Sequence, residues 1–67
     1  MTEPEKRLLV ALAWMCQQYL KKGDRVDHEC MGAGQAAVEL LIEYGLLTPA
    51  PRGGTWTKTG LTFLELN

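Results

Sequence analysis

The sequence predicts a small, mostly helical α+β domain with two main helices, a short β-hairpin and a short C-terminal element. Apolar residues recur at helical spacing in the first third of the chain. A second helical segment ends at Gly45, and a stretch rich in proline and glycine follows it. Because the chain has only 67 residues, we expect residues 1–67 to form one domain.

The first helix is predicted over residues 3–22. Thr2 and Glu5 have the spacing of a capping box, and Gly23 follows two lysines as a helix stop. Seven apolar residues recur at helical spacing and are expected to face the core. They are Leu8, Leu9, Leu12, Met15, Cys16, Tyr19 and Leu20.

The middle of the chain is predicted to be a loop or a short helical turn, followed by a second helix. The segment DRVDHECMGAG contains three acids, a histidine and two glycines, which is typical of a loop. The second helix is predicted over residues 34–44. Its inward residues are expected to be Ala36, Ala37, Leu40, Leu41 and Tyr44, and its polar strip Gln35, Glu39 and Glu43.

Residues 46–57 are predicted to form a β-hairpin that turns at Arg52 to Gly54. A glycine of the PRGG segment would supply the positive φ that a tight turn needs. Two prolines favour an edge position for the first strand. The tail is compatible with a strand or with a short helix capped by Thr57 or Thr59. Such a helix would bury two leucines, Leu61 and Leu64.

The second half of the chain, about residues 35–66, resembles the end of a winged-helix domain. The matching pieces are VELLIEYGLL, a helix that closes on Gly-Leu, TPAPRGGTW, a wing hairpin, and TKTGLTFLE. The resemblance implies DNA binding, with a helix in the major groove. Arg52, Trp56 and Lys58 are the predicted wing residues, for contact with protein or DNA, and Trp56 alternatively closes the core. The matching helix carries no lysine or arginine, and DRVDHECMGAG leaves room for only a stub where the family has another helix.

Composition and charge narrow the classes of partner and compartment. The formal net charge is −1, so no general attraction to nucleic-acid phosphates or anionic membranes follows. The longest apolar run, Leu8 to Cys16, is too short to span a bilayer, and it lacks the cleavage site of a signal peptide. Cys16 and Cys30 are expected to be unpaired thiols of a cytoplasmic protein.

No group of residues predicts an enzyme, a cofactor or a metal site. His28, Cys30 and Cys16 lack the second ligand pair that a zinc site usually shows. Serine is absent from the chain, and the glycines of MGAGQAA lack the longer pattern of nucleotide-binding loops. We therefore expect no catalytic residue, no metal and no cofactor.

The predicted function is a non-enzymatic regulatory or inhibitory module that acts through protein–protein contacts; the alternative is a winged-helix DNA-binding transcription regulator. The expected partner is another protein, a second copy of the chain included. Val10 and Trp14 point away from the apolar stripe of the first helix, so either the C-terminal segment covers them or they form an interface. The predicted partner-binding residues are Arg7, Val10, Trp14, Gln17, Glu39 and Glu43.

Overall fold

The computed structural model describes all 67 residues and shows an α+β fold with three helices and one four-stranded antiparallel sheet. The strand order in the sheet is β1-β2-β4-β3. The elements in chain order are α1 (Glu3–Tyr19), β1 (Lys21–Lys22), β2 (Arg25–Asp27), α2 (Gly32–Glu43), β3 (Leu47–Ala50), β4 (Gly53–Trp56) and α3 (Lys58–Leu66).

Helix α1 begins where the capping signals predict and ends earlier than expected. The backbone N–H of Glu5 donates to the Thr2 hydroxyl over 3.2 Å, and the Glu5 carboxylate accepts from the Thr2 N–H over 3.3 Å. The capping box is therefore confirmed. The helix does not reach residue 22, because Lys21 and Lys22 pair with β2. Gly23 lies in the turn of this hairpin with a φ of 65°, rather than ending the helix.

Residues 25–27 of the segment predicted as a loop or helical turn form a strand, so this part of the prediction was wrong, whereas residues 28–31 are a loop as predicted. Strand β2 pairs with β1 on one side and with β4 on the other, and Val26 lies opposite Gly54. Val26 is fully buried, while Arg25 and Asp27 project from the opposite face of the strand. Three residues are too few for alternating polarity to stand out in the sequence, since the central valine is the only apolar member.

The second helix and the β3–β4 hairpin form close to their predicted positions. Helix α2 ends before Gly45, which has a φ of 75°. Strand β3, which contains Pro49, lies at the sheet edge as predicted, and Pro51 lies in the turn that follows it. The left-handed residue of the hairpin turn is Arg52, with a φ of 58°, so the expectation of a glycine there was wrong. Gly53 instead lies buried in β4. A Cβ there would lie 1.7 Å from the Val26 carbonyl oxygen, so the close approach of β2 requires a glycine at this position.

The C-terminal element is a helix, α3, which settles the choice that the sequence left open. The Thr57 hydroxyl caps it by accepting a hydrogen bond from the Gly60 N–H over 2.9 Å. Leu64 is buried, whereas Leu61 is exposed. Gly60 allows α3 to approach the preceding chain, because a Cβ there would lie 2.1 Å from the Leu46 carbonyl oxygen.

The core uses only one edge of the predicted inward stripe of α1, together with Ala13, which the prediction did not include. Leu9, Ala13 and Cys16 are buried, while three members of the predicted inward stripe, Leu8, Met15 and Tyr19, are exposed. In α2, likewise, Val38 and Leu41 are buried, whereas Ala36, Leu40 and Tyr44 are exposed. The nine buried apolar residues are Leu9, Ala13, Cys16, Val26, Val38, Leu41, Leu46, Leu47 and Leu64.

Candidate protein-binding surface

An apolar groove runs between α1 and α2 on the surface of the molecule. A cavity of about 330 Å³ lies at one part of it, and eight of the nine residues that line this cavity are hydrophobic. A smaller recess of about 90 Å³ continues the groove towards the start of α1. We call this surface the α1–α2 groove. It is defined by Leu8, Leu12, Met15 and Tyr19 of α1, by Ala33, Ala37 and Leu40 of α2, and by the residues that cap α2 at its two ends, Met31 and Tyr44.

The α1–α2 groove arises from the same residue spacing on both helices. On α1 its members follow one another at intervals of four, three and four residues, from Leu8 to Tyr19. On α2 the same intervals run from Ala33 to Tyr44. This is the a and d spacing of a coiled-coil seam, which places the members of each set in one line along the helix. The buried residues lie on an adjacent face, so most of each seam is left at the surface, while Leu12 and Ala37 are half-buried.

Contacts at the two ends of the groove show that the helices flanking it run antiparallel. At one end the Tyr44 hydroxyl donates a hydrogen bond to Oε2 of Glu5. This bond holds the pKa of Glu5 below its usual value and raises the pKa of Tyr44. At the other end a Cβ on Gly34 would lie 3.4 Å from Leu20 Cδ1, so α2 begins where α1 ends.

The other flank of α1 faces α3 and β4 and carries four of the predicted partner-binding residues. The Gln17 side-chain carbonyl accepts a hydrogen bond from Nε1 of Trp56 over 2.8 Å. Val10 is half-buried and lines a shallow depression together with Arg7 and the C-terminal Asn67. Trp14 keeps 36% of its surface exposed. The C-terminal residue therefore lies beside Val10, while Trp14 stays exposed.

The remaining predicted partner-binding residues lie elsewhere. Glu39 and Glu43 are exposed on the side of α2 that is opposite its buried residues Val38 and Leu41. Glu39 accepts a hydrogen bond from Gln35 over 3.4 Å, so the predicted polar strip of α2 does form on the surface. The structure thus brings the α1 members together and places the two acids on a separate helix face.

The three predicted wing residues do not meet at a common tip. Arg52 lies in the β3–β4 turn, and its Nη2 donates to Oδ2 of Asp27 over 2.9 Å. Trp56 lies at the far end of β4, where it is half-buried and bonded to Gln17. Lys58 is exposed at the first position of α3.

A buried carboxylate that the sequence analysis missed links two loops. Asp27 is 1% exposed; its Oδ1 accepts from the Glu29 N–H over 2.8 Å, and Oδ2 pairs with Arg52 and Arg25. The Glu29 N–H, followed by the two guanidinium groups, holds the pKa of Asp27 below its usual value. Glu29 and Cys30 both have positive φ, so Asp27 holds a strained turn. The polar–apolar–polar order of Arg25, Val26 and Asp27 is too short a pattern to have predicted this carboxylate.

The thiols and acids form no obvious chemical centre. Cys16 and Cys30 are free; burial raises the pKa of the Cys16 thiol, while Cys30 is exposed. No three side chains of His, Cys, Asp or Glu converge closely enough to hold a metal ion. None of the three helices combines the length and the apolar character that crossing a bilayer requires. Comparison with family models, curated proteins and solved structures found no match to this chain.

Proposed function

We propose that this protein is a non-enzymatic regulatory or inhibitory module that acts through protein–protein contacts. The α1–α2 groove is the observation that carries the proposal. Large side chains such as Leu8, Met15 and Tyr19 are more than half exposed in one continuous apolar surface. Contiguous exposed apolar patches on small soluble proteins commonly mark binding sites. The apolar lining offers few groups for catalysis or for orienting a polar small molecule.

The shape of the groove suits a helical partner segment. Its two walls are antiparallel helices whose apolar seams face outward side by side, which is how a helix-in-groove site is built. The α1 seam from Leu8 to Tyr19 spans eleven residue steps, so its length is about 16 Å at the rise of an α-helix. A partner helix of about three turns would cover it.

The predicted partner-binding residues outside the groove offer two further contact surfaces. Arg7, Val10, Trp14 and Gln17 offer a smaller, partly covered contact surface on the α3 side of α1. The acids Glu39 and Glu43, on the outer side of α2, suit a basic surface of the partner. The setting that we propose is the cytoplasm, in keeping with two free thiols.

Binding of DNA by a winged-helix domain is the alternative function. It would depend on α2 in the major groove and on cations of the β3–β4 hairpin. Helix α2 offers no lysine or arginine to phosphates, and the Arg52 guanidinium is already paired with Asp27. These observations favour a protein partner over DNA.

Affinity capture from lysate of the native host tests the proposal. The bait is the full chain, compared with Met15→Glu, which puts a charge into the groove, and with Gln18→Glu, which adds the same charge on an exposed neighbouring position. We expect the wild type and Gln18→Glu to retain the same protein after nuclease treatment and at moderate salt, and Met15→Glu to lose it. Retention that disappears with nuclease, together with salt-sensitive binding to random duplex DNA, would support the alternative instead.

A further inference from the structure

We infer that the occupant of the α1–α2 groove is a second copy of this chain, related by a two-fold axis that places the two α1 helices antiparallel. This inference rests on the proposed function, because it uses the same groove as a protein-contact surface. The result would be a four-helix bundle built from two α1–α2 pairs, with the sheets on the outside. Pairs of helices with outward apolar seams are half of such a bundle.

The α1 seam matches itself in the antiparallel direction. In antiparallel coiled coils the a positions of one helix meet the d positions of the other. Leu8 of one copy then lies opposite Tyr19 of the other, and Leu12 lies opposite Met15. Both pairs share one centre, between residues 13 and 14, so a single two-fold axis makes all four apolar layers at once. The pairing uses three exposed residues, Leu8, Met15 and Tyr19, and the half-buried Leu12.

One charged pair beyond the seam also matches in this direction. The first turn of α1 holds Glu3 and Glu5, with Lys6 and Arg7 directly after them, and the two lysines of β1 follow its C-terminal end. Antiparallel pairing brings Glu5 of each copy towards Lys22 of the other, which is an opposite-charge contact, while Lys6 approaches Lys21 and offsets part of the gain. The present partner of Lys22 is Glu29, at 2.7 Å, and both side chains are about half exposed. Such an exposed pair holds Lys22 only weakly.

The exposed area is close to what a stable dimer needs. Six large side chains of the groove each keep between 40% and 76% of their surface exposed: Leu8, Met15, Tyr19, Met31, Leu40 and Tyr44. Taking roughly 200 Å² for the full surface of one such side chain, they expose about 650 Å² per copy. Specific interfaces bury about 800 Å² per partner, with a lower range near 600 Å². The six side chains alone therefore supply most of an interface of standard size.

Because the core of the single chain is small, self-association should also raise the stability of the fold. Only 14 of the 67 residues are buried in the single chain. Domains of this size gain little stability from one core, and binding of a second copy stabilises the folded form by mass action. We therefore expect the melting temperature of the protein to rise with its concentration.

Analytical ultracentrifugation of the purified full chain tests the inference. We expect the mass to rise from that of the 7.5 kDa chain to twice this value between low and high micromolar concentration. Met15→Glu should weaken self-association at least about thirty-fold, as loss of a central apolar contact does, while Gln18→Glu should leave it unchanged. Circular dichroism of each variant at low concentration verifies that the single chain stays folded. A wild type that remains 7.5 kDa throughout, or a dimer that Met15→Glu leaves intact, would overturn the inference.

A mixing experiment tests the antiparallel direction with two well-exposed positions. Leu8→Glu and Tyr19→Lys should each weaken self-association, because each places an unpaired charge in two layers of the homodimer. In an antiparallel heterodimer of the two variants, the glutamate meets the lysine in one layer, and the other layer keeps the wild-type Leu8 and Tyr19. We therefore expect the equimolar mixture to recover dimers. Failure to recover them while both chains remain folded would exclude this direction.

The two proposals fail differently. A chain that stays monomeric in purified form, but captures a host protein in a Met15-dependent way, would overturn the homodimer and leave the regulatory function standing. A Met15-dependent homodimer that captures no other protein would support the occupant inferred here and remove the regulatory partner.

Discussion

The two flanks of α1 differ in how far the rest of the chain covers them. On the α2 side, Leu8, Met15 and Tyr19 are more than half exposed. On the α3 side, Val10 and Gln17 are half-buried, and Trp56 reaches across from β4 to bond Gln17. Part of the stripe that the periodicity predicts to be core is therefore open, and part of the flank whose cover the sequence left undecided is covered by the chain.

The difference follows from what lies beside each flank. Helix α3 and the end of β4 come from the last part of the chain and pack along the α3 side of α1. On the α2 side the small residues Gly34 and Ala37 bring α2 close to α1 but are too short to fill the space above the contact. An apolar stripe indicates which side chains are favoured in a core. The elements that pack beside the helix decide which of these side chains are buried.

We expect the largest loss of stability from a substitution that forces α3 away from the rest of the fold. It would remove the cover of the α3 side of α1, and with it the difference between the two flanks. In Gly60→Ala the new Cβ would lie 2.1 Å from the Leu46 carbonyl oxygen and 2.9 Å from the Trp56 ring. Because backbone must move, we expect the free energy of unfolding to fall by about 3 kcal/mol, most of the stability of so small a domain. Chemical denaturation followed by tryptophan fluorescence measures this.

Gly32→Ala is the matched control for Gly60→Ala. Gly32 begins α2, and a Cβ there meets no atom within 4 Å. We expect this substitution to leave stability unchanged or raise it by up to about 1 kcal/mol, through the higher helix propensity of alanine. Equal losses from both substitutions would contradict the close approach of α3.

The second expected effect compares one large side chain from each flank. Trp14→Ala should lower the free energy of unfolding by about 2 kcal/mol, less than for a fully buried tryptophan, because 36% of the side chain is exposed. Met15→Ala on the open flank should lower it by less than about 1 kcal/mol in the single chain. Thermal melts at low concentration measure both.

Association should reverse this order. Met15→Ala is expected to weaken self-association in sedimentation experiments, while Trp14→Ala leaves it unchanged. A folded Trp14→Ala chain that no longer associates would show that the α3 side is the interface and that the comparison of the flanks is the wrong way round.

The local signals in the sequence were sufficient for much of the fold. The capping box of Thr2 and Glu5, the stop at Gly45 and the edge position of β3 depend on neighbours within a few residues, and all three are confirmed. Strand β2 depends on pairing with β4, about 28 residues further on, and its three residues carry too weak a local pattern. The sequence likewise left the C-terminal element open between a helix and a strand, because its residues carry no decisive local pattern.

The candidate surface was harder to predict than the fold. All nine residues of the α1–α2 groove are apolar or small in the sequence, but nothing local distinguishes the exposed seam of Leu8 and Met15 from the buried line of Leu9 and Cys16. The two lines lie side by side on one helix. The choice between them depends on the direction from which α2 and the sheet approach, which is tertiary information.

A third, smaller effect tests how firmly the α3 side is held. Gln17→Ala would remove the acceptor for Nε1 of Trp56, which is partly buried. We expect a loss of about 1 kcal/mol in the free energy of unfolding, because the indole N–H is left without a protein partner. Gln18→Ala, one position along and exposed, should change stability by less than about 0.5 kcal/mol. Denaturant titrations of the two variants give the difference, and equal values would contradict a structural role for the Gln17–Trp56 bond.

The smallest effect concerns the hydrogen bond between Glu5 and Tyr44, which ties α1 to α2 at one end of the open flank. Because this bond lowers the pKa of Glu5 from its ordinary value of 4.5, the bond stabilises the fold fully above that pH. Its contribution is lost as the pH falls through the lower pKa of the folded state. The same bond raises the pKa of Tyr44 from its ordinary value of 10.0, so its contribution is also lost as the pH rises through the higher value in the folded state.

Tyr44→Phe removes the donor and keeps the ring, so we expect a slightly less stable protein at neutral pH, with a weaker fall in stability on both the acid and the alkaline side. Thermal melts across pH measure both limbs; unchanged limbs in Tyr44→Phe would show that the bond does not hold the two helices together in solution.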